Sequence, residues 1–76
     1  MRNFNDEQEL IKFVKDNHAT VGLRVYDKRG LDGWVIGCNG IIGSIYLPDG
    51  DEIRFTILGY DKDSSERMIK RIRSAI

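Results

Sequence analysis

A small α+β domain is predicted by three features of the sequence: an amphipathic helical pattern at each end, period-two alternation of apolar residues through the middle, and turn-forming residues that cut that middle into strands. The predicted order is α-β-β-β-β-α, a four-stranded antiparallel meander that curls toward a small barrel, with a helix before it and a helix after it. At 76 residues the chain 1–76 is expected to be a single domain. No linker, repeat or low-complexity stretch divides it.

The first helix is predicted over about 6–17. Asn5 or Asp6 can cap it, and Gln8 or Glu9 three residues on would complete a capping box. Leu10, Ile11, Phe13 and Val14 fall on one side, with Glu7, Lys12, Lys15 and Asp16 turned to water. Asn17-His18 ends it, where an imidazolium would complement the helix C-terminus. From Thr20 the period becomes two, Val21, Leu23 and Val25 alternating with Gly22, Arg24 and Tyr26. Asp27 to Gly33 reads as a turn, and Trp34 to Cys38 as a second strand. Asn39-Gly40 then supplies a type I′ hairpin signal. A third strand runs from Ile41 to Leu47, apolar on both faces, so that one face can fill a barrel while the other lies under a helix. Pro48-Asp49-Gly50 turns the chain into a fourth strand, Asp51 to Leu58, with Ile53, Phe55 and Ile57 on its core face. The last helix is predicted to start at Asp63 as N-cap with Glu66 at N3, and Met68, Ile69, Ile72, Ala75 and Ile76 form its apolar stripe.

Composition narrows the function classes. Twelve Lys/Arg balance twelve Asp/Glu, which argues against a strongly basic nucleic-acid coat or a polybasic membrane anchor. No apolar run approaches a membrane span, and the first residues, Met1 to Asp6, have no signal-peptide core, so a cytoplasmic location is expected. Cys38 is the one cysteine and His18 the one histidine, so neither an internal disulfide nor a structural zinc site is available; no metal and no cofactor are expected. A core this thin without such staples leaves packing, good capping, or association with a partner or with a second copy as a homodimer, as the remaining sources of stability.

Gly37 and Gly43 lie inside strand patterns, where glycine usually marks a bend, a bulge or a close backbone approach. The stretch Gly22-Leu23-Arg24-Val25-Tyr26-Asp27, then Gly33-Trp34-Val35-Ile36, then Ile45 to Ile53 around Asp49-Gly50, then Phe55-Thr56-Ile57-Leu58-Gly59, resembles small SH3-like (KOW-like) barrel proteins of phages and prophages. The resemblance spans residues 20–60 and omits both helices. It implies a barrel fold and a phage origin, and no functional residue.

Five motifs are better explained without chemistry. Val35-Ile36-Gly37-Cys38-Asn39-Gly40 looks like a KH-type GxxG loop, but that loop must join two helices and normally carries a base, and neither condition holds here. Gly37, Gly40 and Gly43 do not have dinucleotide-loop spacing. Asp61-Lys62-Asp63 opens like an EF-hand loop, yet Glu66 and Ile72 stand where Gly and Glu are required. Asp49, Asp51 and Glu52 read as a solvated turn. Cys38 and His18 come from different elements with no third group to orient them, so a thiolate pair is not expected.

With no acid–base pair, nucleophile or metal constellation to assemble, the chain reads as no enzyme but a binding module. The candidate contact residues are Arg67, Lys70, Arg71 and Arg73 on the last helix, with Trp34 and Tyr46 as aromatic candidates on the sheet. The expected partner is another protein with an acidic surface, in a phage or mobile-element accessory protein that docks on a host protein. Nucleic acid bound by the basic C-terminal helix is the alternative, which the neutral net charge disfavours.

Overall fold

A computed structural model describes residues 1–26 and 39–76. Their elements run β1 (Arg2–Asn3), α1 (Glu7–Asp16), β2 (Thr20–Tyr26), β3 (Gly40–Tyr46), β4 (Glu52–Leu58) and α2 (Lys62–Ala75). The predicted strand Trp34–Cys38 and the turn before it lie outside the described residues, as do Trp34 and Gly37 themselves.

The α+β class and both helices agree with the sequence, but the predicted meander needs correction. The sheet is mixed, in the order β1-β4-β3-β2. β2, β3 and β4 pair antiparallel, whereas β1 runs parallel to β4, with Arg2 opposite Phe55 and Asn3 opposite Thr56. Two residues cannot display an alternation, so β1 has no sequence signal. Tertiary bonds define it: the Phe4 amide donates to the Thr56 carbonyl at 2.9 Å, and the Thr56 hydroxyl donates to the Asn3 side-chain oxygen at 3.2 Å. Nor does the sheet close into a barrel. β1 and β2 stand at opposite edges, and two helices cover one face, so helix burial takes the place of closing the sheet on itself.

Register decides which face is covered. Val21, Ile45 and Ile53 lie in one row, Leu23, Gly43 and Phe55 in the next, Val25, Ile41 and Ile57 in the third. Alternate residues share a face, so these nine form one side of the sheet. Ile41, Ile45, Phe55 and Ile57 are wholly buried there, against Leu10 and Val14 of α1 and Met68, Ile69 and Ile72 of α2. The opposite side carries Ile42, half-buried, and Tyr46, exposed; the expectation that this second face of β3 lies under a helix is not met.

The interior glycine of β3 has a packing reason. A Cβ on Gly43 would strike the Gly22 carbonyl and come within 3.0 Å of the Phe55 ring, so the bare position lets the ring lie across the middle strand. Phe55 meets Phe4 edge-on at 5.8 Å, Phe4 meets Phe13 at the same distance, and the Arg2 guanidinium lies 4.5 Å from the Phe13 ring centre. This chain of rings ties β4, β1 and α1 together.

The turns follow local chemistry. Between β3 and β4 the Gly50 amide donates to the Leu47 carbonyl at 3.0 Å, Pro48 and Asp49 fill the corner, and Gly50 takes φ 97°. That is a turn closed by a left-handed residue, for which Pro-Asp-Gly is well suited. Asn39-Gly40, by contrast, makes no type I′ hairpin. Gly40 is already in the β3 ladder, opposite both Tyr26 and Leu58, and the Asn39 carbonyl accepts from the Gly59 and Tyr60 amides.

Helix α1 starts at Asp6, whose carboxylate accepts from the Glu9 amide at 3.0 Å, while Glu9 accepts from the Asn5 amide at 2.9 Å. Its end is built by backbone. The Ala19 amide donates to the Val14 carbonyl and the His18 amide to the Lys15 carbonyl, with His18 at φ 53°. These two bonds make a Schellman stop, and buried Ala19 beside Val14 completes it. The left-handed position usually belongs to glycine, since a Cβ there is disfavoured by ~1–2 kcal/mol.

Two stability changes follow. Replacing His18 by Gly should raise stability by about 0.5–1 kcal/mol in urea unfolding, the relieved strain being partly offset by the freer unfolded chain. A destabilised His18→Gly protein would show that the imidazole, not the backbone, closes the helix. Phe55→Ala should cost ~3–5 kcal/mol, a large share of the stability of so small a fold. A Phe55→Ala protein that melts with the parent would contradict the assigned core.

Candidate functional site

α2 is held from below. Met68, Ile69 and Ile72 are buried, and its first turn is fixed by Asp61, not by the predicted Asp63. The Ser64 amide donates to the Asp61 carboxylate at 2.8 Å, and Asp63 falls inside the first turn, where its charge faces the helix N-terminus. The reason is the path of the chain: Gly59, at φ 98°, turns it off β4 early enough to place Asp61 in an extended conformation at the cap. Buried Ser65 adds a hydroxyl that donates to the Tyr60 carbonyl at 3.4 Å. A seated, capped helix presents its outer side chains with little backbone freedom left to lose.

The predicted basic stripe is divided by its neighbours. Arg71 faces α1, where its Nε donates to both carboxylate oxygens of Glu7, at 3.0 and 3.1 Å. Glu7 is only 18% exposed in its side chain, so Arg71 serves as a clasp between the helices. Arg67, on the crest, leans over the first turn and donates to the Ser64 hydroxyl at 3.4 Å. Lys70 and Arg73 line a groove on the β2 side of α2, Lys70 also lying beside Arg71 on the helix surface, and the groove includes a residue the sequence had not singled out. Arg24 from β2 joins them in lining this groove of about 300 Å³, whose apolar side is Leu23 and Ile69. Glu66 is the acid at this groove among the described residues.

Of the six residues expected to make contacts, the structure brings Lys70 and Arg73 together, leaves Arg67 on the crest and assigns Arg71 to Glu7. Tyr46 stands apart on the side of the sheet opposite the helices, 48% exposed. It lines a shallow dip with Gly22, Arg24, Ile42 and Ser44, where the bare Gly22 lies under the edge of its ring. Trp34 falls outside the described residues. Arg24 had one visible sign, its place on the polar side of the β2 alternation; nothing local to it indicates that β2 lies beside α2.

The acidic turn has a structural use. Asp49 accepts from the Asp51 amide at 3.0 Å within the β3–β4 corner. Among the described residues no cluster of three or more His, Cys, Asp or Glu is placed to hold a metal, and no helix is long and apolar enough to cross a membrane. No protein-family model, curated protein or solved structure matches the chain.

The cap of α2 gives the site a pH dependence. The bond from the Ser64 amide, helped by the Ser64 hydroxyl and the Arg67 charge, holds the Asp61 carboxyl below its ordinary 3.8. A carboxyl depressed on folding stabilises above its unfolded value and loses that effect as pH falls through the folded one. The melting temperature of the parent should therefore exceed that of Asp61→Ala at neutral pH, and the gap should close on acidification below 3.8. A gap that stays constant through that range would mean the carboxylate charge contributes nothing to the cap.

Proposed function

We infer that the chain is a non-enzymatic binding module that docks on another protein through the groove between β2 and α2. One observation carries the reading: Lys70, Arg73 and, from the edge of β2, Arg24 line the same groove as Leu23 and Ile69, with Glu66 as the acid among them. Cations set beside an apolar strip favour an acidic protein segment, which supplies both carboxylates and apolar side chains. Arginine adds a planar fork that binds a carboxylate through two bonds. At about 300 Å³ the groove is at the bottom of the ~300–1,000 Å³ range of small-molecule pockets, which favours the side chains of a docked segment. That the chain is a phage or mobile-element accessory protein acting on a host protein rests on the sequence resemblance of residues 20–60 alone.

The test uses two charge variants and capture of partners from nuclease-treated host lysate. Lys70→Glu/Arg73→Glu should abolish capture of a protein that the parent retains, while Arg67→Glu on the crest should leave it within about threefold; a tenfold loss corresponds to ~1.4 kcal/mol. Reversing Arg71 is a poor probe, because it would set a second carboxylate against Glu7. Capture unchanged in Lys70→Glu/Arg73→Glu would place the contact elsewhere. Capture that disappears with nuclease, with duplex DNA binding whose log–log salt slope is about −3 for three phosphate contacts, would favour the nucleic-acid alternative.

A further inference from the structure

A second pocket lies beside β1, at the edge of the sheet opposite β2 among the described residues, and it shares no lining residue with the groove. Its volume is about 350 Å³. Phe4 and Phe13 form the apolar wall, their ring centres 5.8 Å apart, with Phe4 buried and Phe13 half-buried. Four charged side chains, Arg2, Glu9, Lys12 and Asp16, border it.

Three of these charges already have partners. The Lys12 ammonium donates to the Asp16 carboxylate at 2.7 Å. Glu9 accepts from the Asn5 backbone amide at 2.9 Å and from the Asn5 side-chain amide at 3.3 Å, in the first turn of α1, where a negative charge is favoured. Arg2 differs. Its guanidinium carbon lies 4.5 Å from the Phe13 ring centre and 5.2 Å from that of Phe4, so the two rings hold the cation in place. Among the described residues no carboxylate pairs with it, and its five N–H donors are left to an outside acceptor.

We propose that this pocket binds a small monocarboxylate with an apolar body of about one ring, the carboxylate paired with the Arg2 guanidinium and the body set against Phe13. The guanidinium is planar, and its parallel N–H groups match the two oxygens of a carboxylate. Because the rings position it before a ligand arrives, little side-chain freedom is lost on binding. A volume of about 350 Å³ is at the low end of the ~300–1,000 Å³ of small-molecule sites, which limits the body to one ring or a short branched chain. A dianion is the poorer ligand, since one cation is open and Glu9 and Asp16 border the same space. A cationic ligand would meet Arg2 already seated over the rings.

The experiment titrates the full chain with hydrocinnamate, read by calorimetry and by NMR shifts of the Phe13 ring and the Arg2 Nε–H. Hydrocinnamate should bind saturably at millimolar concentration and move those signals. Its neutral amide, hydrocinnamamide, and the cation phenethylamine should each bind at least about tenfold more weakly, as expected for loss of a charge-assisted hydrogen bond. Acetate should also fall at least about tenfold behind, for want of the apolar body. Arg2→Gln should bind hydrocinnamate at least about tenfold more weakly than the parent. Because Arg2 also covers the two rings, that variant is judged beside the ligand series on the unchanged protein, which a loss of fold cannot imitate.

If the amide or phenethylamine binds as tightly as the acid, the pocket does not recognise a carboxylate and the proposal fails. If acetate matches hydrocinnamate, the anion meets Arg2 without the pocket, and it fails equally. No saturable binding of hydrocinnamate, shifts confined to residues away from Arg2 and Phe13, or undiminished binding by Arg2→Gln also overturns it.

Discussion

Phe55 occupies the centre of the sheet because the residue beside it has no side chain. Its ring lies across Gly43, and every other packing choice is set against it. Phe4 meets the ring edge-on, which brings the end of β1 to β4 and makes the short parallel pairing of Arg2 and Asn3 productive. Phe13 then stacks on Phe4, and Arg2 lies over both, so α1 is drawn to the same face. Once one side of the sheet holds this cluster, the apolar stripe of α2 has its place beside it.

That sidedness gives α2 two unlike flanks. One rests against α1, where the Glu7–Arg71 pair closes the seam. Exposed pairs of this kind contribute little stability, but this one has a partly buried carboxylate whose two oxygens share the Nε–H of Arg71 in a three-centred bond, so it orients the helices. The other flank looks over the edge of the sheet. There Lys70, Arg73 and Arg24 line one groove, with Glu66 as the acid among the described residues. The basic face of the helix is therefore half a structural clasp and half an open cationic groove, although its residues are equivalent in sequence.

Much of the local structure could be read from residue order, because its causes are local. Amphipathic period located both helices to within a residue or two, and Pro-Asp-Gly marked the β3–β4 corner. Alternation grouped Val21, Leu23 and Val25 on one side of their strand and Ile53, Phe55 and Ile57 on the core face of theirs; the register then put all six on one face. The misses have local reasons too. Asp61 and Asp63 are both good caps, and the turn at Gly59 chose between them. Asn39-Gly40 has a hairpin composition, but pairing of Gly40 with both neighbours overrode it.

The sequence by itself determined an α+β chain with two amphipathic helices, neutral net charge and a cationic last helix, since periodicity and composition act over a few residues at a time. Tertiary structure alone decided the parallel β1, the open sheet, the assignment of Arg71 to Glu7 and the placing of Arg24 beside the groove that Lys70 and Arg73 line. Each of these joins residues far apart in the chain, as Glu7 and Arg71 are, and depends on which side of a strand or helix faces which neighbour. No short-range pattern encodes that choice; it is made when the buried faces are matched and the charged residues take whatever flank is left.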